Sequence, residues 1–169
     1  MIQAAGYDSA FGSVLTLLSW GGWFLLVCAW TLVLYGASII VHELGHAAAA
    51  RLSGLRVRFL TVGRGPVLGR IGPVEIASNA FAGASLTVEH PDTALQDLLI
   101  ALGGPAASIT LAWIGLSFGH YPLLLANLPI LVLSILPRGT GDSASDGRQA
   151  AVALGRIRLG GLRAEASKT

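Results

Sequence analysis

Apolar positions are grouped into three long segments. The first runs almost without interruption from Phe11 to Val41, and its helical pattern continues to Ser53, where Gly54 marks a stop. The second and third cover residues 94–118 and 121–136, joined by the short link "GHYP". Because a bilayer core needs about 20 residues of helix, the pattern predicts transmembrane helices over about 11–53, 94–118 and 121–137. The last two are expected to form an antiparallel hairpin.

Residues 55–90 have a different pattern, rich in β-branched residues and punctuated by glycine and proline. Such a stretch is typical of strands and turns. After the third apolar segment, residues 138–169 read as a glycine-rich loop and tail, with a short amphipathic helix over 147–158. The predicted fold class is an α-helical integral membrane protein. It has three core transmembrane helices, a small β-rich insertion between the first and second, and a single domain over 1–169.

Composition supports the membrane class. Of 169 residues, 53% are hydrophobic and only 12% are charged, which is too few charges for an ordinary soluble surface. The net charge of +2 is mild, so the arginines indicate topology and no nucleic-acid partner is expected. They place the N-terminus outside, and residues 51–93 and 138–169 in the cytoplasm. The first segment is expected to be retained, and the single cysteine, Cys28, cannot form an internal disulfide.

Polar residues inside the first apolar segment point to chemistry. His42 and His46, in "HELGH", are four residues apart, so a helix places both imidazoles on one face. Two neutral imidazoles at this spacing can share a zinc ion, and Glu43 can act as general base on a water there. Gly45 leaves the helix surface bare for close approach of a neighbouring segment. The pattern therefore predicts a hydrolytic zinc centre near the cytoplasmic end of the first helix.

A catalytic zinc usually takes a third protein ligand. Carboxylates in the 138–147 loop are well placed, and both Asp142 and Asp146 are candidates. Gly147, directly after Asp146, allows close backbone packing. His90 and His120 are expected to be ordinary interfacial histidines. The remaining acidic residues considered as solvated or capping groups are Glu75, Glu89, Asp92 and Asp97.

These motifs resemble the site-2 protease family of intramembrane zinc metalloproteases. The resemblance rests first on "VHELGH" at 41–46 in a membrane helix and "SDG" at 145–147. Further similar segments, in the same order as in the family, are "LTVGRGPVLGRI" at 60–71, "GGPAAS" at 103–108 and "SILP" at 134–137. The resemblance implies three core helices with β-structure between the first two. It also implies one zinc per chain with His42, His46 and Asp146 as ligands and Glu43 as catalytic residue.

The resemblance further implies a minimal form without a PDZ domain, in a bacterial cell membrane, that cuts transmembrane segments of protein substrates. Its partners would be that substrate and the lipid bilayer. The family often has asparagine, a substrate-binding residue, where this chain has Ser108 and Ser134. These serines favour one alternative, a non-catalytic membrane protein of the same fold that binds or restrains a partner. A coincidental motif in a small membrane protein is the other alternative. A strand within 56–80 is expected to hold unwound substrate by strand addition.

Overall fold

A computed structural model describes residues 5–141 and 144–166. The chain is mostly helical, and its elements follow the predicted order. They are α1 (Ala5–Leu52), β1 (Val57–Ile71), β2 (Val74–Val88), α2 (Ala94–Ser117), α3 (Tyr121–Ile135) and α4 (Asp146–Ala166). The strands, at 15 residues each, are longer than the short strands that the sequence predicts.

The end of α1 lies beside the start of α2, and a side-chain hydrogen bond connects the two helices. Gly54 adopts a φ of 82°, which glycine tolerates and which ends α1. Thr93 caps α2 in a capping box with Gln96, whose backbone N–H donates to the threonine hydroxyl at 3.2 Å. The Gln96 side chain also donates to the Ser53 carbonyl at 3.0 Å. The two helices are thus tied together at the end where "HELGH" lies.

Small residues allow α1 and α2 to cross closely. A Cβ at Gly45 would overlap the Gly103 carbonyl and lie 2.6 Å from the Ala107 Cβ. A Cβ at Gly103 would in turn lie 2.8 Å from the Ala49 Cβ. Each helix therefore presents a pair of small residues four positions apart, the arrangement that brings membrane helices into backbone contact.

The structure does not confirm three membrane spans. Among the residues that the structure describes, two helical segments, Thr16–Leu52 and Ala94–Ser117, are long and apolar enough to cross a bilayer. The third apolar helix, α3, has 15 residues, or about 22 Å of helix against a hydrocarbon core of about 30 Å. It ends at Ile135, two residues before the predicted end, because Leu136 precedes a proline and takes an extended conformation.

In the described part of the chain, β1 and β2 form one sheet, and their pairing has several register shifts. Leu60 is partnered by both Leu86 and Val74, and the next two residues of β1 also have partners in both halves of β2. The first part of β1 is therefore flanked on both sides by β2.

The last helix is longer than predicted. A short helix over 147–158 is expected from the sequence, whereas α4 runs from Asp146 to Ala166. It packs against α2 through the buried residues Ala150 and Ala153. Arg156 forms an ion pair with Asp97 in the first turn of α2. These contacts hold α4 against α2.

Candidate metal centre

One face of α1 is buried at every fourth residue: Ser38, His42, His46 and Ala50. This period keeps the two histidines on one side of the helix, one turn apart. His42 is 6% exposed and His46 is 7% exposed. Both imidazoles therefore point into the protein, towards α2 and the start of α4.

Three side chains converge at this position. The Nε2 atom of His42 lies 3.0 Å from Oδ2 of Asp146, and Nε2 of His46 lies 3.3 Å from Oδ1 of the same carboxylate. The two Nε2 atoms are 3.2 Å apart. All three ligand atoms lie within 4.8 Å of one another. The site joins residues that are up to 104 positions apart in the sequence.

The other ring nitrogens fix the orientation of both imidazoles. Nδ1 of His46 lies 2.6 Å from the Ile100 carbonyl oxygen, which only accepts, and 3.3 Å from the Gly104 backbone nitrogen, whose N–H only donates. The shorter contact favours a proton on Nδ1. Nδ1 of His42 lies 2.9 Å from the Ser108 hydroxyl. Because the hydrogen-bond partners of both rings are on Nδ1, each Nε2 atom is available to bind a metal. Metal-ligating histidines are commonly held in this way. In the neutral tautomers with Nδ1–H, both Nε2 lone pairs face the carboxylate and each other.

Asp146 is the first residue of α4, and contacts of its two sequence neighbours fix its position. The preceding Ser145 hydroxyl donates to the Leu136 carbonyl at 2.6 Å. Gly147 packs on the Ile135 carbonyl so closely that a Cβ would overlap it. Burial raises the pKa of Asp146, but in the form in which the site histidines carry a proton on Nε2, their hydrogen bonds to the carboxylate outweigh this and lower the pKa to about 2. Asp146 is therefore ionised at neutral pH, in the form that a metal binds.

The donor set fits zinc. Zinc bonds of 2.0–2.1 Å in a tetrahedron place neighbouring ligand atoms about 3.3 Å apart. The two Nε2 atoms are 3.2 Å apart, and each lies 3.0 or 3.3 Å from one of the two oxygens of the Asp146 carboxylate. Two imidazoles and one carboxylate are also the donors of a catalytic zinc site that keeps a fourth position open. Converging lone pairs and a carboxylate repel one another unless a proton or a metal cation lies between them. His42, His46 and Asp146 could thus hold a zinc ion.

A cavity of about 770 Å³ opens beside these side chains. Glu43, Ser134 and Arg138 line it together with His42 and Asp146, and residues 83–86 of β2 form part of its wall. Glu43 is therefore next to the three ligand candidates and faces the space in which a reactant can lie.

The structure gives different surroundings to the two serines predicted as weak substrate-binding residues. Ser134 lines the cavity, and its hydroxyl donates to the Leu131 carbonyl at 3.1 Å. Ser108 is fully buried, and the contact of its hydroxyl is with the His42 ring. Direct contact of either serine with a substrate stays a prediction.

The other candidates that the structure describes lie apart from the three converging groups. Asp142 falls outside the described residues. His90 is exposed after the sheet, and His120 caps α3 by accepting from the Leu123 N–H at 3.3 Å. Glu75, predicted as a solvated residue, pairs with Arg70.

Sequence reasoning missed two residues of the site. Gly104 lies over both imidazoles, and a Cβ there would be 2.6 Å from Nε2 of His42 and closer still to Nε2 of His46. Asn127 is fully buried in α3 and donates to the Ser108 carbonyl. A lone asparagine in an apolar helix was the available signal for the second. Nothing in the sequence distinguishes Gly104 from its neighbour Gly103.

Fold and site together define a membrane protein with a candidate metal centre of two histidines and one aspartate. The chain belongs to peptidase family M50, the site-2 protease family, whose model matches residues 30–154. Members of that family are zinc metalloproteases. The match begins within α1, includes "HELGH" and Asp146, and ends in α4. No curated protein matches the chain.

Proposed function

We propose that this protein is an intramembrane zinc metalloendopeptidase that hydrolyses peptide bonds within or near transmembrane segments of other proteins. The observation that carries the proposal is the convergence of His42, His46 and Asp146, whose ligand atoms all lie within 4.8 Å of one another, beside Glu43 in an open cavity. Membership of a metalloprotease family adds support. One zinc per chain is the expected loading.

Each residue then has a role in peptide hydrolysis. His42, His46 and Asp146 would hold zinc, which polarises a carbonyl and makes water nucleophilic near neutral pH. Glu43 accepts the proton of the attacking water and delivers it to the amide nitrogen as the C–N bond breaks. The products are a carboxylate and an amine, so atoms and protons balance.

Substrate access is proposed at the free edge of the sheet. A transmembrane helix must unwind before cleavage, since its backbone groups are already paired. Residues 60–62 of β1 are paired on both sides, so they offer no edge, whereas residues 83–86 of β2 line the cavity. We therefore place strand addition at residues 83–86, beyond the predicted range 56–80. Proline substitutions there should slow cleavage and leave zinc in place; unchanged rates would contradict the assignment.

The proposal includes a membrane topology. With α3 as a short third membrane helix, the chain is a multi-pass protein of a bacterial cell membrane. The arginines after α1 and α3 put the metal centre towards the cytoplasm. The bilayer and a transmembrane protein substrate are its proposed partners.

A non-catalytic role of the same fold remains the second candidate, and one observation favours it. Ser108 stands where the family often has an asparagine that helps bind substrate, yet its side chain is fully buried against His42. A protein with this serine can retain a metal centre and restrain a membrane partner without cutting it.

Zinc content and proteolysis separate the candidates. Detergent-purified wild type should contain about one zinc, as should Asp142→Ala, whereas His46→Ala and Asp146→Ala should lose it. Glu43→Gln should keep zinc and lose cleavage of a quenched-fluorophore transmembrane peptide with a central Gly-Pro pair. Zinc without cleavage in the wild type, followed by unchanged partner restraint in Glu43→Gln, would favour the non-catalytic role. Folded wild type without zinc would refute the protease proposal and leave a membrane protein whose histidines serve packing.

A further inference from the structure

Asn127 stands out in α3 because it is a fully buried amide in a helix that is otherwise almost entirely apolar. Its Nδ2 group donates to the backbone carbonyl of Ser108, while its Oδ1 atom has no hydrogen-bond partner among the described residues. A buried amide whose oxygen has no partner is costly in an apolar environment. The bond to Ser108 therefore calls for an explanation beyond general packing.

The acceptor residue connects Asn127 to the metal centre. Ser108 lies in α2, and its hydroxyl is 2.9 Å from Nδ1 of His42. A continuous path of polar contacts thus runs from α3, through Ser108 in α2, to a proposed ligand in α1. A shift of α3 away from α2 would remove the restraint on Ser108 and with it the restraint on the His42 ring.

The far end of α3 supports the opposite side of the site. The Ile135 carbonyl packs on Gly147, and the Leu136 carbonyl accepts from the Ser145 hydroxyl at 2.6 Å, on either side of Asp146. The position of α3 relative to α2 therefore bears on the distance between His42 and Asp146.

We propose that Asn127 is a positioning residue for the metal centre: its bond to the Ser108 carbonyl locks α3 onto α2 and so holds the His42 ring in its ligating orientation. This inference rests on the proposed metal binding. Ser38 provides a matched comparison, because it is equally buried and lies one turn before His42. Its hydroxyl has no hydrogen-bond partner among the described residues.

The test uses the full chain in nanodiscs and two readouts, the zinc dissociation constant by chelator competition and the visible spectrum of the cobalt-loaded protein. Asn127→Leu, similar in shape but without a donor, should weaken zinc binding by about 10-fold, as changes behind a metal ligand typically do. At saturating cobalt its spectrum should also differ from wild type, which a loss of stability alone does not produce. Ser38→Ala should match wild type in both readouts.

A double-mutant cycle tests the route through Ser108. If Asn127 acts on His42 through that residue, Ser108→Ala and Asn127→Leu should be less than additive in zinc affinity. Should Asn127→Leu not fold, Asn127→Ser, too short to reach the carbonyl, supports the same comparison. Wild-type zinc affinity and cobalt spectrum in the Asn127 variant, or full additivity, would overturn the inference. Absence of zinc from the wild type would instead overturn the proposed function.

Discussion

Gly104 offers a direct test of the site geometry because its Cα faces the proposed ligands. In Gly104→Ala, the new Cβ would lie 2.6 Å from Nε2 of His42 and 2.7 Å from Cδ2 of His46. Ordinary van der Waals contact begins at 3.4 Å, so the His42 nitrogen has to move by about 0.8 Å. Metal–ligand distances tolerate about 0.2 Å. A single methyl group therefore exceeds the tolerance of the site about fourfold.

The expected result is a loss of zinc affinity of at least 10- to 100-fold, the range seen when the support of a ligand is disturbed. This corresponds to about 1.4–2.7 kcal/mol. Chelator competition on the purified protein measures the affinity. Gly155→Ala in α4 is the matched control, since a Cβ there meets nothing within 4 Å. It should leave zinc binding unchanged and stabilise the helix by about 0.5–1 kcal/mol. Wild-type zinc affinity in folded Gly104→Ala would refute the proposed geometry.

Two further substitutions test how the site is held. Gly147→Ala should displace the start of α4, because its Cβ would lie 2.6 Å from the Ile135 carbonyl carbon. Overpacking of this kind costs about 1–3 kcal/mol, so both thermal stability and zinc affinity should fall; a change in neither would contradict the packing. Thr93→Ala removes the hydroxyl that caps α2 through Gln96 and should cost about 1 kcal/mol. We expect a melting temperature about 2–4 °C lower with zinc affinity retained, and a loss of zinc would show that the cap also shapes the site.

Local patterns predicted the order of the elements and several of their ends, although α1 begins at Ala5, six residues before its predicted start. Apolar runs and the stop at Gly54 gave the end of α1 to within one residue, and α2 differs from its predicted range by one residue at its end. The number of membrane-spanning helices was harder to predict from the sequence. Composition alone does not show whether the 15 residues of α3 cross a bilayer, since their length falls between a short span and a packed core helix. The length of α4 was underestimated, because its polar C-terminal turns carry no apolar period to mark them.

The site, like the fold, was predicted from the sequence only in part. By itself, the sequence determined that His42 and His46 share one face of a helix with Glu43 beside them, because an interval of four residues is a local property of an α-helix. Only the tertiary structure decided which groups surround them. Ile100, Ser108 and Asp146 reach the histidines from 54, 66 and 104 residues away. Those contacts depend on the close crossing of α1 and α2 and on how α3 holds the start of α4, which are properties of the packed chain and of no single segment.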